Sequence, residues 1–342
     1  MRKGTTALAA VLALALSLTA CGKKPPEQFE IEVQGPEHGS DRPVASSAVQ
    51  SAPAEGGIQW AVEPRQDLEI ERSLADHAHM EKLPNQSQLA FFGQAGGFGV
   101  IDLEGNILVP ASENVRWCSL CGITNQDESK IFDDTGAVTG SGGHGGWMLD
   151  LCYDVEHKQL YRDEMDVLAP VETVQNDAVQ AVRCVTLVDI QDEFSGWALD
   201  HWDSGRRVDT EWTGQWGLLG RDGRLLCDGA QFDDVYGVLD PRDGVPLMAE
   251  PVKEGMVAVK QKGMWSFLWE DGRPGPGPYE EVRPFEDGVA AVKTPEGWGF
   301  IDRSGKALTP MNFLGAASAS RGRAWVKTQD GWGVIVLGEN PA

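Results

Sequence analysis

Residues 284–310, "PFEDGVAAVKTPEGWGFIDRSGKALTP", repeat a text the chain has already used at residues 251–275, "PVKEGMVAVKQKGMWSFLWEDGRPG". Six identities recur at a constant offset of 33: Pro251/Pro284, Gly255/Gly288, Ala258/Ala291, Val259/Val292, Lys260/Lys293 and Trp265/Trp298. A fixed period of this size marks a repeat architecture, in which one copy cannot bury its apolar side without the next. That constraint comes before any other reading of the chain.

Within a copy the pattern reads as short strands. Val289 to Lys293 is a β-prone run, Thr294-Pro295-Glu296-Gly297 a turn by composition, and Trp298-Gly299-Phe300-Ile301-Asp302 a second strand. Asp302-Arg303-Ser304-Gly305 is a second turn, and Lys306 to Thr309 a third strand. Connections this short join antiparallel neighbours, which predicts a three-stranded meander per unit. Asp suits the first position of such a turn, where its carboxylate accepts a backbone N–H, and Gly the fourth, where it takes the left-handed conformation. Asp-x-x-Gly returns at Asp102 to Gly105 and Asp133 to Gly136, while Asp222-Gly223 and Asp271-Gly272 close the equivalent turn without the leading Asp. Alternation places Trp298 and Phe300 on one face of their strand and Gly299 and Ile301 on the other. Both faces are apolar, which predicts burial on both sides. Glycine inside a strand is costly unless another group approaches closely, and a tryptophan ring from a neighbouring element is the expected visitor.

Matching cores run along the chain: "GFGVIDLEG" from Gly97, "SKIFDDTG" from Ser129, "QWGLLGRDG" from Gln215, "MWSFLWEDG" from Met264, "GWGFIDRSG" from Gly297 and "GWGVIVLG" from Gly331. "FDDV" at Phe232 and "YEEV" at Tyr279 stand between cores, and "LEIE" at Leu68 reads as a decayed copy. These motifs resemble the bacterial WG-repeat family, whose units run Gly-x-Ala-x-Val-Lys, Trp-Gly-Phe-Ile-Asp, x-x-Gly-Lys and Tyr-Asp-x-Val. The resemblance covers about residues 59–337 and is degenerate at about residues 140–212. It assigns the repeat-core positions to Phe98, Gly99, Trp216, Gly217, Trp265, Trp298, Gly299, Trp332 and Gly333. It also implies an interaction scaffold, often extracytoplasmic, with no catalytic residue attached to the motif.

The N-terminus supplies an address. Arg2 and Lys3 precede an uncharged apolar run, then Leu18-Thr19-Ala20-Cys21. Small residues before a cleavage point fit a signal peptide, residues 1–20. The following cysteine resembles the lipobox of bacterial lipoproteins, which implies lipidation at Cys21 and anchoring by acyl chains. Secretion with an unused Cys21 is the plainer alternative. No later stretch has the ~18 apolar residues that a spanning helix needs, so the membrane contact expected is the lipid alone, on the extracytoplasmic face. Residues 21–57, rich in Pro, Ser and Gly, read as a disordered linker, and residues 58–342 as the repeat domain. The formal charge of −23 repels phosphate backbones, so nucleic acid is excluded as a partner class.

Several motifs invite a chemical reading. Cys118 and Cys121 in "RWCSLCG" have the spacing of a thiol–disulfide exchange site, but no strand–helix setting accompanies them. A structural disulfide is the simpler reading, with Cys152, Cys184 and Cys227 as further candidates for pairing in an oxidising exterior. A zinc site from Cys118, Cys121, Cys152 and Cys184 lacks the second CxxC. "GSGGHGG" at Gly140 lacks the lysine of a phosphate loop, and His77 and His79 suit a solvated helix face as well as a metal. Asp233-Asp234 and Glu280-Glu281 recur with the repeat, which favours structure over acid–base chemistry. Trp60, Trp117, Trp202, Trp212 and Trp269 lie outside the repeat position and are the tryptophans available to a binding surface.

The expected fold is therefore all-β: tandem antiparallel meanders in an open, solenoid-like array, with a propeller-like ring as the alternative. The expected function is a non-enzymatic binding or scaffold protein with no cofactor or metal and an unknown protein or cell-envelope partner. A redox protein using Cys118 and Cys121, and a glycan or cell-wall binder, are the competing readings.

Overall fold

The strand-rich pattern is realised as six small sheets. In the computed structural model the described residues are 58–76, 83–118, 122–127, 129–141, 150–164, 167–171, 179–191, 206–227, 231–237 and 252–338. The signal segment, the linker, Cys21, Cys121, His77, His79, Trp202 and most of the Gly140 loop lie outside them. Sheet I comprises Glu69–Ser73, Leu89–Gln94, Gly97–Asp102 and Ile107–Val109, and sheet II comprises Val115–Cys118, Gly122–Asn125, Ile131–Phe132 and Val138–Gly140. Sheet IV holds Asp234–Val235, Val252–Lys253, Met256–Gln261 and Met264–Trp269; sheet V holds Glu281–Val282, Val289–Thr294 and Gly297–Asp302. Sheet VI holds Gly315–Ala316, Arg323–Thr328 and Gly331–Val336.

Sheet III is different, and it falls where the repeat text is degenerate. Its strands Asp150–Asp154, Gln159–Glu164, Val167–Pro170, Gln180–Gln191 and Arg206–Leu219 pair in a closed cycle, in which Asp150–Asp154 runs parallel to Gln180–Gln191. The end of Arg206–Leu219 carries Trp216-Gly217 and returns the chain to the regular pattern.

The turns have the predicted chemistry. Asp302 Oδ1 accepts the N–H groups of Ser304 (2.9 Å) and Lys306 (3.0 Å), and Gly305 sits at φ +85°. Asp102 and Asp133 repeat this with Glu104 and Asn106, and with Thr135 and Ala137. A carboxylate holding two amides fixes the hairpin register locally.

Two-sided burial also appears as expected. Trp298 and Phe300 belong to the apolar cluster shared by sheets V and VI, with Ala316, Ala324, Val326 and Ile335. Ile301 points the other way, into the cluster shared by sheets IV and V with Met256, Ala258 and Phe267. Each central strand thus serves two neighbouring cores, which is why the copies cannot fold singly. The segments "FDDV" and "YEEV" carry the chain from one sheet to the next. Phe232, Tyr279 and Phe313 each exchange backbone hydrogen bonds with the preceding repeat tryptophan, Trp216, Trp265 and Trp298. The strands just after them, Asp234–Val235, Glu281–Val282 and Gly315–Ala316, pair with the first long strand of the following unit.

Two expectations are corrected in detail. The visitor over the strand glycine is backbone together with one side chain, the Phe92 ring at Gly99, the Met311 sulfur at Gly299 and the Trp60 ring at Gly333. A Cβ on Gly99 would meet the Val109 carbonyl at 2.4 Å, and one on Gly299 the Met311 sulfur at 2.3 Å and the Pro310 carbonyl at 2.9 Å. Only over Gly333, among these three, does a tryptophan ring stand, that of Trp60. Phe98, at a repeat-core position, is 40% exposed. The segment that follows its strand turns into the short 3-10 helix Ala111–Glu113, so no aromatic residue pairs opposite Phe98 to cover it.

The first and last sheets are joined. Trp60–Arg65 pairs antiparallel with Gly331–Val336, with Trp60 opposite Ile335, Val62 opposite Val334 and Arg65 opposite Trp332. One apolar cluster then unites Ile70, Phe92 and Ile101 of sheet I with Trp325, Trp332 and Val334 of sheet VI. An open array would leave both ends free; the joined ends correspond to the ring alternative.

Candidate functional site

The turns that open the long strands converge with the first 3-10 helix, and there the repeat becomes a site. Lys253-Glu254-Gly255, Glu286-Asp287-Gly288 and Ser320-Arg321-Gly322 are equivalent two-residue hairpins. Their central pairs have positive φ: Glu254 +51° and Gly255 +76°, Asp287 +51° and Gly288 +75°, Arg321 +49° and Gly322 +67°. This is the type I′ geometry that matches strand twist. Each acidic turn residue reaches the following copy. Glu254 accepts the Gly288 N–H at 2.8 Å, and Asp287 accepts the Arg321 N–H. A ladder of charge-assisted hydrogen bonds therefore ties turn to turn around this face.

Asp76 stands at the centre. It ends the 3-10 helix Leu74–Asp76 after the first strand of sheet I and is only 7% exposed. Its Oδ2 accepts from the Tyr236 hydroxyl at 3.1 Å and its Oδ1 from the Ser318 hydroxyl. Arg283 and Arg72 supply the nearby positive charge. Tyr236 and Arg283 directly follow the handover strands of sheets IV and V, and Ser318 follows that of sheet VI. One carboxyl thus gathers side chains from four sheets. Burial pushes its pKa above the usual carboxylate range, against the pull of Arg283 and the Ser318 hydroxyl. The same burial, with Asp76 alongside, pushes the Tyr236 hydroxyl up.

Beside this hub lies a cavity of about 330 Å³ lined by Ala75, Leu83, Gln86, Ser87, Val252, Lys253, Glu254 and Glu286. Gln86 is held by its own Nε2, which donates to the Leu74 carbonyl at 3.0 Å. Glu254 also accepts from Arg303 at 2.8 Å. Glu286 is half-buried, and burial raises its pKa to about 7; Lys253 opposes the rise, while Asp287, Glu254 and Asp76 add to it. A carboxyl raised in the folded state contributes stability that is complete below its ordinary pKa and is lost as pH climbs through about 7. The turn residues Asp133 and Asp271 act oppositely. Hydrogen bonds from Thr135 and Arg273 respectively hold them low, so their contribution is lost only as pH falls below the usual carboxylate range. Stability from these groups is accordingly greatest near about pH 4 and falls as pH climbs from there to about 7. Glu286→Gln flattens the fall on the alkaline side. A melting-temperature profile that still declines as steeply in the variant refutes this assignment of the alkaline fall.

The repeat tryptophans Trp216, Trp298 and Trp332 are buried, and Trp265 is half-buried with the Lys260 ammonium 5.7 Å from its ring centre. Gly217 lies under Leu225 and Val182. Trp212 packs edge-on against Trp216 at 5.6 Å, and Trp269 carries the Arg273 guanidinium. With Trp60 over Gly333 and Trp117 against the cluster shared by sheets I and II, four of the five tryptophans offered for an exposed surface pack against the fold, and the fifth, Trp202, lies outside the described residues. Cys118 ends the strand Val115–Cys118, which pairs antiparallel with Gly122–Asn125, while Cys121 lies outside the described residues. Burial pushes the Cys184 thiol up to about 11. Among the described residues no group of three or more His, Cys, Asp or Glu side chains could hold a metal.

None of the site residues Asp76, Gln86, Tyr236, Lys253 and Glu286 was singled out by the sequence. The recurring Glu254-Gly255 and Asp287-Gly288 pairs were the one legible signal, since such pairs mark type I′ hairpins.

Fold and site together define an all-β repeat protein whose turns meet at a buried acidic hub. The WG containing repeat family model matches residues 279–294 and 298–332, and this part of the chain is similar to that family. No curated protein matches the chain.

Proposed function

We propose that this chain is a non-enzymatic, lipid-anchored, extracytoplasmic binding protein that engages a protein or cell-envelope partner through its repeat surface. The observation that carries the reading is the pairing of Trp60–Arg65 with Gly331–Val336. It ties tandem copies into one frame, with strand faces spent on internal cores and turns and edges left for a partner. A rigid frame loses little conformational entropy on binding. The net charge of −23 favours basic partner surfaces and disfavours phosphate-rich ones.

Cys21→Ser tests the anchor. The wild-type chain should partition into the detergent phase of a cell extract, and the variant should move to the aqueous phase, because two acyl chains dominate the attachment. A variant that still follows the detergent phase overturns lipid anchoring. Proximity crosslinking of both forms in cells tests partner engagement: a partner captured only by the anchored form supports the reading, and no reproducible capture by either form sinks it.

A further inference from the structure

The hub cavity displays two charges that the fold leaves unmatched. Of its three charged lining residues, Glu254 is engaged by the Gly288 N–H and by Arg303. The side chains of Lys253 and Glu286 make no hydrogen bond or ion pair with any described residue, although the lysine's charge is felt at the carboxyl. They are not an arbitrary pair, for each occupies the same place in its hairpin, one repeat apart. Holding a half-buried carboxyl and an ammonium at one cavity without joining them costs solvation that no internal contact returns. Alongside stand an aliphatic wall, Ala75, Leu83 and Val252, and two polar groups, Gln86 and Ser87. The volume, about 330 Å³, lies at the small end of ligand sites, which run from about 300 to 1,000 Å³.

We propose that this cavity binds a small zwitterion, an α-amino acid or dipeptide, with its carboxylate on Lys253, its ammonium on Glu286 and an aliphatic side chain against Ala75, Leu83 and Val252. A simple anion meets Lys253 but is opposed by Glu286, Glu254, Asp287 and Asp76. A simple cation meets Glu286 but is opposed by Lys253. Only a ligand carrying both charges satisfies both walls. The ammonium needs Glu286 ionised, and this carboxyl titrates near 7 under the combined influence of burial, Lys253, Asp287, Glu254 and Asp76. Affinity therefore falls roughly tenfold for each pH unit below about 7. This goes beyond surface engagement of a partner, and the two readings fail separately, because crosslinking reports on the surface and calorimetry on the cavity.

The test is isothermal titration of the full-length chain in detergent with L-leucine and with L-alanyl-L-alanine at about pH 8, where the Glu286 carboxyl is ionised. N-acetyl-L-leucine and L-leucinamide serve as capped controls. Saturable binding is expected for at least one parent probe, with capped forms at least about tenfold weaker, the loss of one charge contact. Glu286→Gln keeps the side-chain shape and should abolish the pH dependence along with most of the affinity. Lys253→Met should weaken the parent probe while strengthening leucinamide, whose ammonium Lys253 opposes, a split that a misfolded variant would not give. Absence of binding by both parent probes up to about 10 mM, equal binding by capped forms, or unchanged binding in Glu286→Gln each overturns the proposal.

Discussion

Asp76→Ala lowers the stability of this protein by about 3–5 kcal/mol, the loss expected when one partner of a buried charged cluster is deleted. The carboxyl is 7% exposed and answers the hydroxyls of Tyr236 and Ser318, with the guanidinium groups of Arg283 and Arg72 nearby. Alanine leaves both hydroxyls without their acceptor and both arginines without their central counter-charge, and buried polar groups left unsatisfied cost about 1–3 kcal/mol each. Asp76→Asn should lose less, about 1–2 kcal/mol, because the amide oxygen still accepts one hydrogen bond. Burial raises the Asp76 pKa, so its contribution shrinks as pH rises above the usual carboxylate range, and the deficit of the alanine variant narrows in that direction. Urea denaturation of the wild type and both variants measures this. An alanine variant within about 1 kcal/mol of wild type would show that the four sheets are not held through this residue.

The parts of the fold that were legible are those fixed within one repeat. The Asp302 and Gly305 turn, the alternation of Trp298 and Phe300 against Ile301, and the antiparallel order of short strands all follow from contacts a few residues apart. "LEIE", read as a worn copy of the handover segment, takes that place: Glu69 and Ile70 pair with Gly93 and Phe92 as Glu281 and Val282 pair with Lys293 and Val292. The irregular stretch after Gly140 announced itself by losing the repeat text, and among the described residues it holds the one sheet with a parallel pair. What was not legible depends on distant partners. Trp60–Arg65 carries no repeat motif, yet it completes the last sheet some 270 residues away. Phe98 matched the motif but lacks the partner that buries its counterparts, because burial of this residue is decided by the following segment. Asp76 carries no local signature, since its meaning comes from Tyr236, Arg283 and Ser318, each brought by a different sheet.

Gly333→Val detaches the closing strand. A Cβ at this position would lie 2.8 Å from the Trp60 ring, 2.8 Å from the Val62 carbonyl oxygen and 2.9 Å from the Pro64 nitrogen. The ring has some freedom to move, but two backbone atoms of a paired strand have little, and valine adds two methyl groups to the clash. Overpacking of this kind typically costs about 1–3 kcal/mol before any contact is lost. Here the displaced strand also uncovers Trp332 and Val334, so a total of about 3 kcal/mol or more is expected, with a fall in melting temperature of roughly 6–12 °C for a domain of this size. Two other glycines separate the causes. Gly263→Ala, at φ +81° with nothing within 4 Å, carries only the conformational penalty of about 1 kcal/mol. Gly99→Val strikes the Val109 carbonyl within sheet I, so it destabilises without touching the closure. Limited trypsin digestion distinguishes the last two kinds of damage. If Trp60–Arg65 joins the ends of the sheet series, cleavage after Arg65 precedes global unfolding in Gly333→Val but not in Gly99→Val. Equal protection of Arg65 in both variants would mean that the strand is an ornament on the last sheet, and that the frame holds without it.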